Sequence, residues 1–416
     1  MNTLYSISVS LMIFGMKILA LFNAKIKKGI SGRKQSLNLV NSAFSKSDKI
    51  IWMHAASLGE YEQGLPVLQK LKEKFPKHKI LITFFSPSGY ENVVKKNHIA
   101  DAVCYLPFDK KNKIREFVSQ FKTDIFFTVK YDFWYHLLAE LKKQNTKIYV
   151  VSALFYPKQI FIKSYGKWFV NQLKQNVNHF FHQTKSSFDL AQKIGLTNSS
   201  ISGDTRFDRV RQNLERDNFV EFIAEFKQEK PTVVFGSSWE TEERIAKILN
   251  QKNKELKLII APHDLKRTAH LQRIFPDALL YSQLISGFNS NSEILIIDSI
   301  GLLSKIYFYA DLAVVGGGFH SAGLHNILEA AVFGIPVLFG NQYKKNPEAD
   351  ELIKQNGGKS FADENALADF ASQLLNESTN LKNMGENARN FIFSQPNAAE
   401  IVINKVMELW SYEVMK

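Results

Sequence analysis

The sequence predicts an α/β chain built from two doubly wound, Rossmann-like domains, and three observations predict it. First, short β-rich runs alternate with helical stretches from Lys49 onward, in two consecutive series. Second, several runs are continuously apolar, as strands buried on both faces of a parallel sheet should be. Third, the charge changes sign along the 416 residues. Residues 1–200 carry 30 basic and 12 acidic side chains, a surplus of 18, whereas residues 201–416 carry 23 and 28, a deficit of 5. A chain of this length suits two domains, each able to bury its own core.

The first series is KIIWMH (49–54), KILITFF (79–85), AVCYLPF (102–108), DIFFTV (124–129), KIYVVSA (147–153) and HFFHQ (179–183). The second is PTVVFGS (231–237), LKLIIAP (256–262), EILIID (293–298), DLAVVGG (311–317) and IPVLFG (335–340). Between them the spacing is helical, as at Leu65, Leu68 and Leu71. The charged stretch Arg206–Lys230 marks the expected boundary. Two such domains in tandem imply a central cleft, with chemistry in the loops that follow strands.

Ahead of both series, Thr3–Phe22 is a run of 20 residues with one charge, Lys17. It is just long enough to span a bilayer, although Ser6, Ser8, Ser10 and Lys17 disfavour insertion. A cleaved secretory signal would place positive charge before the apolar run. Here Lys25, Lys27, Lys28, Arg33 and Lys34 follow it, which puts the remaining chain in the cytoplasm. The expectation is a membrane-anchor helix over residues 1–24, spanning or interfacial; the alternative is a first helix packed on its own core. The single Cys excludes an internal disulfide framework. The basic pI of about 9.4 would suit nucleic acid, but no nucleic-acid-binding motif accompanies it, and none is expected as a partner.

After the first run comes HAASLGEYEQG (54–64), whose small residues admit a ligand and whose Glu60 falls at the start of the next helix. There a carboxylate is held as the anion, able either to cap the helix or to accept a proton from a hydroxyl. In the second half, Gly316, Gly317 and Gly318 end a strand, Gly323 follows, and Asn326 stands where it could cap the helix ILEAAVFG (327–334), with Glu329 one turn on. A glycine-rich turn before a helix suits a phosphate, or is simply a tight turn under a packing helix. Two further loops, FGSSWETEE (235–243) and APHDLKR (261–267), place a Gly-Ser-Ser turn, His263 and Arg267 near the same edge. His320 and His325 lie five apart without a third ligand in the sequence nearby, so no metal site is expected.

On these residues the sequence resembles the 3-deoxy-D-manno-octulosonic acid (Kdo) transferases, glycosyltransferases of the GT-B fold, over nearly its whole length. The family's HAASxGE element stands here as HAASLGE, PxGxE as SPSGYE (86–91) and YLPxD as YLPFD (105–109). Its G-(S/N)-L-K-F-D motif stands as GDTRFD (203–208) and its STHEGEE loop as SSWETEE (237–243). The resemblance implies that Glu60 is the general base of an inverting transfer of Kdo from CMP-Kdo to lipid IVA, the lipid A precursor, at the cytoplasmic face of the inner membrane. It implies a CMP site on Pro262 and His263, on Ile300, Gly301 and Leu302, and on Asn326, Ile327, Leu328 and Glu329, with no metal and no cofactor besides the donor. The implied layout is an acceptor-binding domain over 25–215, a CMP-sugar-binding domain over 216–395 and a helix at 396–416 returning to the first domain. Anionic membrane lipids are implied partners, with Arg33, Lys34 and Lys163 as contributors. His263 replaces an arginine, so Arg267 is the expected substitute for phosphate contact. The family's ETELWPN stretch is VKYDFWYH here (129–136), bringing in Lys130 and Asp132. The alternatives are a GT-B enzyme using a UDP-sugar and a lipid-linked acceptor, and a non-enzymatic two-lobed solute-binding protein.

Overall fold

The computed structural model describes residues 2–285, 288, 291–321 and 323–414, which form two compact units. The first comprises residues 1–209 together with 396–416, and the second residues 210–395.

The first unit is built on a seven-stranded sheet of β1 (Lys49–Ala55), β2 (Lys79–Phe84), β3 (Ala102–Tyr105), β4 (Lys122–Val129), β5 (Lys147–Ala153), β6 (His179–His182) and β7 (Ser199–Ile201). The order is β3-β2-β1-β4-β5-β6-β7, parallel throughout. Ile51 sits opposite Ile80 on one side and Ile125 on the other, fixing the register of the sheet's centre. Side chains alternate across the strand. Trp52 therefore packs with Phe117, Phe121 and Phe126 on one face, while Ile51 and Met53 join Leu65 and Leu68 on the other. The C-terminal helix Ala398–Val414 closes that second face with Val402, Ile403 and Val406, and Lys70 pairs with its Glu400 at 2.7 Å.

The second unit repeats the plan with β8 (Thr232–Ser238), β9 (Lys257–Pro262), β10 (Leu279–Leu280), β11 (Ile294–Ile296), β12 (Leu312–Val315), β13 (Val337–Gly340) and β14 (Gly358–Phe361). The order is β10-β11-β9-β8-β12-β13-β14, again parallel. Each sheet has a switch point where successive crossovers change direction, between β1 and β4 in one and between β8 and β12 in the other. A crevice opens outside the carboxyl ends of the strands at such a point. Three strands escape the sequence analysis: β7, β10 and β14 are short or polar edge strands without an apolar run.

The first helix, Asn2–Leu19, lies against the first unit. Only Val9 and Ile13 are buried along it, and Tyr5 packs its ring among Tyr135, His136, Trp168 and Phe169. The Tyr5 hydroxyl donates to Asp109 at 2.6 Å, and the Ser6 hydroxyl meets His136 Nε2 at 3.0 Å.

Candidate active site

Glu60 stands two residues into the helix Leu58–Lys74, which starts directly after β1. Ser57 caps that helix by accepting from the Glu60 N–H at 3.4 Å. The Glu60 carboxylate turns back to accept the Ala56 N–H through Oε2 at 2.5 Å, while Oε1 has no hydrogen-bond partner among the described residues. Across the switch point, the loop after β4 brings Asp132 to the same place. His54 in β1 is fully buried and joins the two strands' loops: its Nε2 lies 2.7 Å from Asp132 Oδ2, and its Nδ1 is 2.9 Å from Thr83 Oγ1. Trp134 Nε1 also donates to Asp132 at 3.2 Å, and Trp52 Nε1 donates to Thr83 at 2.8 Å. Lys130 opens this loop in a left-handed conformation, φ 62°, which turns the chain sharply enough to present Asp132.

These surroundings set the proton affinity of Glu60. Burial pushes its carboxyl above the usual carboxylate range, and the Asp132 charge pushes the same way; the Ala56 N–H, Lys130 and His54 pull it back. The result is a half-buried carboxyl with one oxygen anchored and its affinity tuned upward, the condition a general base needs.

In the second unit, a cavity of about 660 Å³ is lined by Trp239, Pro262, His263, Arg267, Ile300 and Gly301, among others. Beside it, Trp239 is sandwiched between His263 and His320, each with ring centroids 4.5 Å away. His325 lies 4.6 Å from the His263 ring and accepts from Trp239 Nε1 at 3.3 Å. Burial and the neighbouring His263 bring His325 down to about 4, so it is a neutral acceptor at pH 7. Trp239 follows β8 and His325 lies on the loop after β12, so this stack too stands at a switch point.

Residues 31–209 match the family model described as 3-Deoxy-D-manno-octulosonic-acid transferase (kdotransferase). Over that segment the chain is similar to the Kdo transferases. The chain is 25% identical over 339 residues to the 3-deoxy-D-manno-octulosonic acid transferase of Aquifex aeolicus, covering 80% of this chain and 88% of the relative. It is 26% identical over 376 residues to that of Chlamydia trachomatis serovar D, covering 86% of each. A bifunctional glycosyltransferase/methyltransferase of Fusobacterium nucleatum is 27% identical over 327 residues; the match takes in 75% of this chain and 50% of that one, so the chain spans about half of that relative's length. Among solved structures, a UDP-GlcNAc 2-epimerase from Neisseria meningitidis is similar with TM-score 0.60 at 15% identity, covering 86% of this chain and all of that one. A glycosyltransferase from Rickettsia africae is similar with TM-score 0.56 at 14%, covering 90% and 100%. The fold is GT-B, and the sequence resemblance to Kdo transferases is borne out.

The second unit places the sequence-derived donor-site residues unevenly. Pro262, His263, Ile300 and Gly301 share the cavity, and Gly301 adopts φ +92°, where a side chain would be strained. Leu302 is not among its lining residues. Asn326 and Glu329 are half-buried and bonded to each other at 3.0 Å, and neither is among the cavity's lining residues. Ile327 and Leu328 are wholly buried, so only their backbone could meet a ligand. The helix expected over 327–334 is regular only over Leu328–Ala331, because a 3₁₀-type turn takes over and ends at Gly334, φ +75°. Asn326 Oδ1 accepts the Leu328 N–H at 3.2 Å, the cap the sequence suggested.

The structure bears on three further expectations. Arg267 lines the cavity but already forks onto the buried Glu243, Nε to Oε1 at 2.7 Å and Nη2 to Oε2 at 2.5 Å, so its charge is paired within the protein. Arg33 is not a surface cation for anionic lipid. It is buried, 4.6 Å from both the Phe85 and Phe108 rings, and donates to the Gly29 and Phe85 carbonyls; burial lowers it to about 10. The glycine run is closely packed, as a tight turn requires: a Cβ on Gly316 would stand 2.1 Å from the Ser237 carbonyl oxygen, and one on Gly318 2.5 Å from the Gly340 nitrogen. Lys34 and Lys163 are exposed.

Sequence reasoning missed the His54–Asp132–Thr83 network and the Trp239 stack. A histidine inside an apolar strand was the available signal for the first, since a buried imidazole requires partners. The second brings His263 from one loop, and His320 and His325 from another, around the indole of a third; among the described residues no group forms a metal-holding set.

Proposed function

We propose that the chain transfers Kdo from CMP-Kdo to lipid IVA, an acylated and phosphorylated glucosamine disaccharide, in lipopolysaccharide biosynthesis at the cytoplasmic face of the inner membrane. The observation that carries this is the Glu60 carboxyl, raised in proton affinity and set at the β1/β4 switch point of a domain that matches the Kdo-transferase family. In the reaction, ionised Glu60 takes the proton of the acceptor's primary hydroxyl as that oxygen bonds to the anomeric carbon of Kdo. The carbon's bond to the phosphate oxygen breaks on the opposite side, its electron pair leaves with CMP, and the configuration inverts. Pro262, His263, Ile300 and Gly301 hold the donor, Asn326 and Glu329 meet ribose hydroxyls, and Leu302, Ile327 and Leu328 contribute through backbone. His263 and backbone N–H groups meet the phosphate charge, so the donor brings the only non-protein group needed.

The test is purified protein with CMP-Kdo and a tetra-acylated lipid A precursor, products counted by mass spectrometry. Added Kdo that persists in EDTA and is inhibited by CMP but not by UDP is the expected result. Turnover of a UDP-sugar instead would establish the GT-B alternative.

A further inference from the structure

The first helix has two opposed faces. At 3.6 residues per turn, Leu4, Ile7, Leu11, Phe14 and Ile18 fall within about 80° of arc. All five are exposed, from 44% at Ile18 to 65% at Leu11. The opposite side carries Tyr5, Val9 and Ile13, which are turned into the protein. Val9 and Ile13 are 5% and 6% exposed, and Tyr5 is bonded to Asp109, which is itself 1% exposed. The contact with the domain thus runs from the first turn of the helix to its fourth.

We infer that this helix lies flat in the plane of the membrane surface, its apolar stripe in the lipid and its Tyr5 side on the domain, and does not cross the bilayer. Two observations oppose a crossing. A spanning helix has one end on the far side, yet Tyr5, near the N-terminal end, is fastened to the same domain as the residues after the C-terminal end. Its 18 residues also extend only about 27 Å, less than a hydrocarbon core of about 30 Å. The occupant of the stripe is a bilayer rather than a second chain because exposed cations border it: Lys17 in the last turn and Lys25, Lys27 and Lys28 just beyond. A cationic margin suits anionic headgroups and would repel its own copy. Leu21 and Phe22, 78% and 85% exposed, extend the apolar edge.

This deepens the membrane location proposed above but needs neither the donor nor the acceptor named there. The full chain is bound to preformed vesicles of phosphatidylethanolamine and phosphatidylglycerol, floated, and treated with a membrane-impermeant maleimide. The native Cys104 is fully buried, and burial lifts its thiol to about 12, so it stays silent. In Asn2→Cys and Lys25→Cys variants, both exposed and off the apolar stripe, both new thiols should react without detergent. Protection of Asn2→Cys until the vesicles are dissolved would overturn the inference in favour of a crossing. A Leu11→Asp/Phe14→Asp pair, on the exposed side, should lower the vesicle partition coefficient about tenfold or more with detergent-assayed activity intact. Unchanged flotation of that pair, or a lipid-free dimer that does not float, would also overturn it. Loss of activity with normal flotation would count against the proposed reaction alone.

Discussion

Glu60 and Asp109 are both motif carboxylates following strands of one sheet, yet their surroundings give them different duties. Asp109 is spent on structure: it accepts the His136 and Leu137 N–H groups, each at 2.9 Å, and the Tyr5 hydroxyl. Glu242 is spent likewise, accepting from Trp239 and Gly317 N–H groups at 2.9 and 3.1 Å. Glu60 has one oxygen bonded, to the Ala56 N–H, and the other without a hydrogen-bond partner among the described residues. Glu60→Gln should therefore cut kcat by about 10²–10⁴ while CMP still protects the protein against heat. The acid limb of kcat/KM in the wild type should lie above the ordinary carboxylate range, and Asp132→Asn should move it to lower pH by removing a charge that raises Glu60. Stability follows the same sign. A carboxyl raised by folding stabilises the native state below its unfolded pKa and loses that contribution as pH rises through its folded value. Glu60→Gln should thus melt higher than wild type near pH 7, with the advantage gone near pH 4. Equal melting curves at both pH values would show that Glu60 is solvated as in a free chain.

At the scale of elements, the strands were legible because burial on both faces writes a continuous apolar run, as in KIYVVSA, whose bounds the strand β5 reproduces. Edge strands β7 and β14 were not, since one neighbour and partial exposure impose no such pattern on SSI or GKSF. Helix starts were legible where a side chain caps, as at Asn326, and their lengths were not where packing ends them early, as after Ala331. The Tyr135–Lys143 helix shows what a cap contributes. Its first residues carry no cap of their own; Asp109, 27 residues away from His136, supplies one. Asp109→Ala should cost about 2 kcal/mol or more in urea unfolding, the loss of a cap plus an orphaned buried hydroxyl on Tyr5. Gly316→Ala should cost about 1–3 kcal/mol, because its Cβ would overlap the Ser237 carbonyl.

For the whole molecule, the Glu60 motif was legible in the sequence because it is contiguous, whereas the groups around it, His54 in β1 and Lys130 and Asp132 after β4, meet only once the sheet order is set. The same holds for His263, Trp239 and His325, drawn from three loops of the second unit. The difference in charge between the two halves was visible at once, but its meaning for single residues was not: Arg33 reads as one more surface cation and proves to be an aromatic-stacked core residue. Bound at about 100-fold its Kd, CMP should stabilise the protein by about 2.7 kcal/mol, and UDP should not; calorimetry in the presence of each checks this.

The bond between Tyr5 and Asp109 bears on how this protein could be shortened. Removing the first twenty residues would take away more than an exposed apolar helix. It would strip the cover from Tyr135, Trp168 and Phe169, leave Asp109 one donor short, and loosen the start of the helix whose preceding loop holds Trp134 and Asp132 beside Glu60. The shortened chain should aggregate through that unroofed aromatic patch and turn over poorly even on a detergent-dispersed acceptor. Replacing Leu11 and Phe14 with polar residues, and keeping Tyr5, is the gentler route.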